Sequence, residues 1–167
     1  MENPIAPGAG RPDTTEKALR LLPAAVIAVG GRAQPDAVCP LLEEAGFAVR
    51  HQASVPCEAE AVQAALMYCA DELSAALVLT LGGTSLAPGD IVPEATLAVL
   101  DREVRGLPEA MRMAGMAFTP RACLSRGVAG VRGRTLIVNL PGSAKAAGED
   151  LSAVLEPLRH GAEMLQK

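Results

Sequence analysis

Residues Ala75 to Leu79 form a continuous apolar run. A run with no polar alternation fits a strand covered on both faces, as in a parallel sheet. It continues through Thr80-Leu81 into Gly82-Gly83-Thr84-Ser85, then Ala87-Pro88-Gly89-Asp90 and Pro93-Glu94. Glycines at this point let the chain turn sharply, and let a ligand reach main-chain N–H groups that a Cβ would screen. Pro93-Glu94 is a favoured helix start. In open α/β sheets ligands settle beyond the carboxyl ends of the strands, where N–H groups and the helix dipole favour anions. The stretch is therefore a candidate site for a phosphorylated ligand, with Asp90 placed to hold a cation or steer chemistry. The competing reading is a tight turn that needs glycine only for its φ angles.

Two further stretches also read as buried strands. Ala24 to Val29 leads into Gly30-Gly31-Arg32, and Arg134 to Leu140 leads into Pro141-Gly142-Ser143-Ala144-Lys145, followed by a helix to about Leu155. The second of these loops is open to two readings: a turn followed by an N-cap serine, or a second phosphate clamp built from main-chain N–H groups and the Lys145 ammonium. Two such loops after two buried strands favour the clamp.

Between these strands the chain reads as alternating helices and strands. Asp36 is expected to cap a helix ending at Glu44, delayed by Pro40, with Gly46 at the left-handed position beyond it. Phe47 to Gln52 is expected to be an edge strand, since Arg50 and His51 interrupt it. A helix to Ser74 carries an apolar stripe from Ala61 to Leu73, on which Cys69 and Met67 serve packing rather than chemistry. Further helices are expected over Glu94–Asp101 and Leu107–Met116, broken at Gly106. The methionines of the second fit core or interface filling. Arg121 to Ser125 reads as a short strand, Gly127 to Gly133 as a glycine-punctuated connection, and Pro157 as a helix break or restart. The alternation predicts a three-layer α/β/α fold with a mostly parallel sheet.

Composition narrows the function. The chain of 167 residues has two Phe, one Tyr and no Trp, so its core is built from Ala, Val and Leu. No apolar run approaches the roughly 20 residues of a membrane span. Residues 1–23, rich in Pro and Gly and lacking a signal-like apolar segment, are expected to be a flexible tail (with a short helical turn near Leu19 to Leu22), and residues 24–167 the folded domain. The four cysteines show no CxxC pairing, which suggests free thiols in a reducing cytoplasm. A net charge of −4 argues against nucleic acid. Yet eight basic residues lie between Arg102 and Lys145 against only Glu103 and Glu109, which permits a local anion-attracting surface. His51 and His160, far apart in sequence, read as surface histidines.

Several spaced motifs together resemble a known family. Leu77-Val78-Leu79-Thr80-Leu81-Gly82-Gly83-Thr84, Ala87-Pro88-x-Asp90-x-x-Pro93-Glu94-Ala95-Thr96, Leu124-Ser125-Arg126, Gly130-Val131-Arg132-Gly133 and Thr135 to Lys145 resemble the signature of the MogA/MoaB-type molybdopterin-binding proteins. Bacterial molybdopterin adenylyltransferases and the gephyrin G domain belong to that family. The resemblance implies the molybdopterin-binding fold, a homotrimer, and work in molybdenum cofactor synthesis beside other proteins of that pathway. It implies Mg²⁺ and ATP as reactants that adenylylate molybdopterin with release of pyrophosphate. By the same resemblance Gly82, Gly83, Thr84 and Ser85 would cradle a phosphate, and Asp90 would orient the ligand or hold the metal. Pro141, Gly142, Ser143 and Lys145 would line the other side of the cleft.

The sequence also departs from the family pattern. Gly30-Gly31-Arg32 stands where the family has Ser-Asp-Arg, and Cys57 where it has an acid, with Glu58 next to it as a stand-in. Val92 replaces a threonine and Ser85 a glycine. A thiol is a poor ligand for a hard cation. The alternative implied by these changes is a non-catalytic molybdopterin-binding or scaffold homologue that has lost part of the active site.

Overall fold

The computed structural model describes residues 20–167. Six strands form one sheet: β1 (Leu22–Val29), β2 (Phe47–Val55), β3 (Leu77–Leu81), β4 (Arg102–Glu103), β5 (Ala129–Arg132) and β6 (Thr135–Leu140), in the order β2-β1-β3-β6-β5-β4. The first four in that order run parallel, and β5 and β4 are antiparallel additions at one edge. The tail expected over residues 1–23 lies, through Leu19, outside the described residues. Leu22 and Pro23 belong to β1, not to a helical turn.

The central strands are buried on both faces because side chains alternate with period two. Ala24, Val26, Leu77, Leu79, Val138 and Leu140 point to one side, beneath α1 (Cys39–Glu44), α4 (Gly106–Gly115) and α5 (Ala144–Leu165). Ala25, Ile27, Val29, Val78 and Ile137 point to the other, beneath α2 (Ala59–Met67) and α3 (Val92–Leu97). This is the three-layer α/β/α architecture, with the polar exceptions satisfied. Asn139 on β6 donates through Nδ2 to Thr80 Oγ1 (2.9 Å) and Thr96 Oγ1 (3.0 Å), and its Oδ1 accepts from Val128 N–H at 3.1 Å. One buried amide thereby joins β6, β3, α3 and the approach to β5.

Gly46 takes its left-handed conformation (φ +84) beyond α1, and β2 is an edge strand. Asp36 lies in a short 3-10 turn ahead of α1, whose N-cap is Val38. In α2, continued by a π turn over Tyr68–Glu72, Cys69 is fully buried, and burial pushes its thiol up to about 11. Met67 is exposed, as are Met113 and Met116, whereas Met111 fills the core.

The helix expected over Glu94–Asp101 spans Val92–Leu97 and is followed by β4, and three further elements differ from the sequence expectation for a local reason. Residues Pro120–Leu124 form a 3-10 helix, not a strand. Thr119 Oγ1 accepts from Arg121 N–H at 3.3 Å and Pro120 sets the first turn. The strand of this region is instead β5, Ala129–Arg132. Gly130 is there for close approach rather than for a loop: a Cβ would meet Leu100 Cδ1 at 2.4 Å and Arg102 O at 2.5 Å. Finally, α5 runs straight through Pro157. Pro157 and Ala153, whose carbonyl loses its amide partner, both lie on the solvent side, while Val154 and Leu158 hold the inner face against the sheet.

Candidate functional site

β3 and β6 are parallel neighbours whose ends, Leu81 and Leu140, lie side by side in register. The loops that follow them must therefore meet. Gly82 N–H donates to Leu140 O at 3.0 Å, and a Cβ on Gly142 would lie 3.3 Å from Gly82 Cα. Gly82 (φ +99) also abuts β1, since a Cβ there would sit 2.8 Å from Val29 O. Only glycine meets both demands, the left-handed φ and the backbone contact. Gly83 (φ +69) is enclosed by Val92 and Cys57, at 2.4 Å and 3.1 Å from where its Cβ would be.

Beyond the glycines the chain folds back on itself. Asp90 Oδ2 accepts from Ser85 N–H at 2.8 Å, Ser85 Oγ from Ala87 N–H at 3.1 Å, and Ala87 O from Asp90 N–H at 2.9 Å. Cys57 Sγ donates to Gly89 O at 3.3 Å, tying the end of β2 to the same loop. Arg126 donates through Nε to Ser85 O (2.8 Å), through Nη2 to Asp90 O (2.6 Å), and through Nη1 to Glu94 Oε1. That bond holds the Glu94 carboxyl below the usual carboxylate range.

These segments wall a cleft of about 880 Å³ at the carboxyl end of the parallel strands. Its size suits a ligand of several hundred daltons. Gly82, Gly83, Thr84, Ser85, Asp90, Pro141 and Gly142 all line it. Ser143 and Lys145 are not among the lining residues. Ser143 is the N-cap of α5, with Oγ accepting from Ala146 N–H at 3.1 Å, and Lys145 is solvent-exposed, with Nζ 3.8 Å from Glu149 Oε1. Glu58 is exposed at the start of α2, outside the cleft, whereas Cys57 and Gly30 face it.

The cleft also holds residues the sequence did not single out for the site: Arg32, Thr119, Arg121, Glu149 and Asp150. Asp150 sits over the Gly115 backbone, where a Cβ would lie 3.5 Å from Oδ1. Burial first, then the neighbouring Glu149, raise its pKa to about 6 against the opposing pull of Arg112. A carboxyl perturbed by burial within a cleft is a recurrent mark of a functional acid. Nothing local in the sequence distinguishes it from any other helix acid.

The basic bias between Arg102 and Lys145 is the visible signal for Arg121 and Arg126, but those side chains do not converge. Arg112 donates to Ser125 O and Gly127 O, Arg132 pairs with Asp71, Arg134 reaches Leu165 O, and Arg105 pairs with Glu103. Of the eight, only Arg121 lines the cleft.

Residues 34–160 match the sequence model of a family described as "Probable molybdopterin binding domain". The molybdopterin adenylyltransferase of Escherichia coli K12 is 46% identical over 100 residues, 60% of this chain and 51% of that protein. The chain thus spans about half the length of that relative. Gephyrin of Dictyostelium discoideum is 42% identical over 106 residues, 64% of this chain and 15% of gephyrin. Among solved structures, the molybdopterin biosynthesis enzyme MoaB of Thermus thermophilus superposes with a TM-score of 0.77 at 44% identity, covering 87% of this chain and 96% of its own. A molybdopterin biosynthesis protein of Mycobacterium abscessus gives 0.81 at 35% identity, covering 87% and 96%. Matched over residues 34–160 by one family model, the chain belongs to the molybdopterin-binding domain family.

Proposed function

We propose that this chain binds molybdopterin in the cleft and adenylylates it with Mg²⁺-ATP, as a cytoplasmic homotrimer working beside other proteins of molybdenum cofactor synthesis. The observation that carries the reading is the contact between Gly82 and Gly142, which sets two backbone loops and the start of α5 around one hollow with Asp90 on its wall. In the reaction, an oxygen of the molybdopterin phosphate attacks the α-phosphorus of ATP and pyrophosphate leaves. Little covalent chemistry is asked of the protein, so positioning and charge neutralisation dominate. Main-chain N–H groups of the glycine loops, the N-terminal dipole of α5 and the cleft cations Arg32 and Arg121 supply the positive potential. Asp90, whose Oδ2 is fixed by the Ser85 amide, orients the reactants.

The residues present fit magnesium only as a companion of the nucleotide. Among the described residues no three His, Cys, Asp or Glu side chains gather as a metal site. One carboxylate with phosphate oxygens and water is an ordinary Mg²⁺ set, and Asp90 is the residue that would provide it. Four free cysteines support a reducing compartment. Exposed Met113, Met116, Phe118 and Leu124, on α4 and the following segment, support self-association, which light scattering on the purified protein would test.

The decisive experiment incubates the protein with molybdopterin and Mg²⁺-ATP and follows pyrophosphate. Turnover in the wild type, reduced to a small residual rate in Asp90→Asn with molybdopterin binding retained, is the expected result. Tight molybdopterin binding without pyrophosphate in the wild type would make the chain a binding or scaffold homologue instead. An Asp90→Asn variant that changes neither property would remove Asp90 from the site.

A further inference from the structure

We infer that Arg126 is the positioning residue of this site: it binds no ligand but locks the loop that carries Asp90. The inference rests on the reading that Asp90 acts in the cleft. Four bonds radiate from this one residue. Its N–H donates to Thr84 O at 2.9 Å, Nε to Ser85 O at 2.8 Å and Nη2 to Asp90 O at 2.6 Å, while Nη1 reaches Glu94 Oε1. Thr84 and Ser85 are where the loop leaves the glycines, and Asp90 is where it returns towards α3. The guanidinium therefore crosslinks both ends of the loop and anchors them to the first turn of α3.

The charge is accounted for within the protein. Glu94 neutralises it, the three guanidinium nitrogens all have partners, and Arg126 is absent from the cleft wall. An arginine recruited for phosphate would present its fork to the hollow. This one turns the fork onto main-chain carbonyls, which fixes the backbone of Asp90. With that backbone fixed, Asp90 Oδ2 reaches Ser85 N–H at 2.8 Å, a bond that closes the loop from inside. Lysine, whose three N–H donors all sit on one nitrogen, cannot span the separate acceptors that the guanidinium reaches.

The test combines hydrogen exchange on the purified, ligand-free protein with turnover of molybdopterin and Mg²⁺-ATP. In Arg126→Ala, amide exchange over residues 84–91 is expected to rise roughly tenfold or more, the loss of at least one charge-assisted hydrogen bond, while β3 and β6 stay protected. Arg126→Lys, which keeps the charge in case alanine compromises folding, is expected to exchange as fast as alanine does. In turnover, kcat should fall by up to about 100-fold with KM little changed, because the reacting groups are misplaced rather than unbound. The Asp90→Asn/Arg126→Ala double variant should be no slower than Asp90→Asn alone. Unchanged exchange over 84–91, protection restored by lysine, a rise confined to KM, or additive losses in the double variant would each overturn the inference. If the wild type shows no turnover, the proposed function fails while the exchange measurement still decides the clamp.

Discussion

Replacing Asp150 with asparagine should stabilise the protein at neutral pH, by an amount the structure sets. The carboxyl lies half-buried on the cleft wall over Gly115, and its pKa is raised from 3.8 to about 6, by burial first and Glu149 second. Folding thus favours the protonated acid, and ionising it at pH 7 opposes the fold. At about 1.4 kcal/mol per pKa unit, a displacement of roughly two units corresponds to about 3 kcal/mol. Water reaches the cleft and screens the charge, so about half of that, ~1.5 kcal/mol, is the expected gain. In a chain of this length this raises Tm by about 3–6 °C. The sign with pH follows from proton binding. Between 3.8 and about 6 the folded state holds the proton that the unfolded chain has released, so wild-type stability falls as pH rises through this window. The advantage of Asp150→Asn should therefore be full above about pH 6 and nearly gone near pH 4. Calorimetric melts of both proteins at pH 7.5 and pH 4 measure it. A variant no more stable than wild type at pH 7.5, or equally ahead at both pH values, would refute the argument that burial of this charge opposes folding.

Gly83→Ala should cost about 3 kcal/mol in urea denaturation, combining a left-handed φ with overpacking against Val92, whose Cγ2 lies 2.4 Å from the new Cβ. Trimming Val92 to alanine in the same chain should recover the part of the overpacking that falls on Val92 Cγ2 and leave the Cys57 contact and the φ strain, so the two substitutions should couple favourably. Ser143→Ala should lower stability by about 1 kcal/mol through loss of the α5 cap. A melting temperature equal to wild type would show that the hydroxyl does not serve that helix.

The pattern of residues carried much of this protein by itself. Uninterrupted apolar runs at Ala24–Val29 and Ala75–Leu79, with the apolar stretch Leu136–Val138 in the third strand, left only a sheet covered on both faces. Glycines within a few residues of the end of each fixed where the chain must turn, because backbone conformation is a local property. The spaced motifs around Gly82-Gly83, Asp90 and Pro141-Gly142 mark residues that line one cleft. Local signals misled where a partner from elsewhere decided the outcome. Gly130 looks like loop punctuation yet sits in a strand because Leu100 and Arg102 press against it. Pro157 looks like a helix end, but Val154 and Leu158 hold that helix to the sheet on either side of it. The two features that only tertiary structure decided are the placement of Asp150 on the cleft wall over Gly115 and, behind the cleft loop, the turning of Arg126 onto the carbonyls of Ser85 and Asp90. Burial and hydrogen-bond partners 36 to 41 residues away are set by packing between elements, which neither spacing nor composition records.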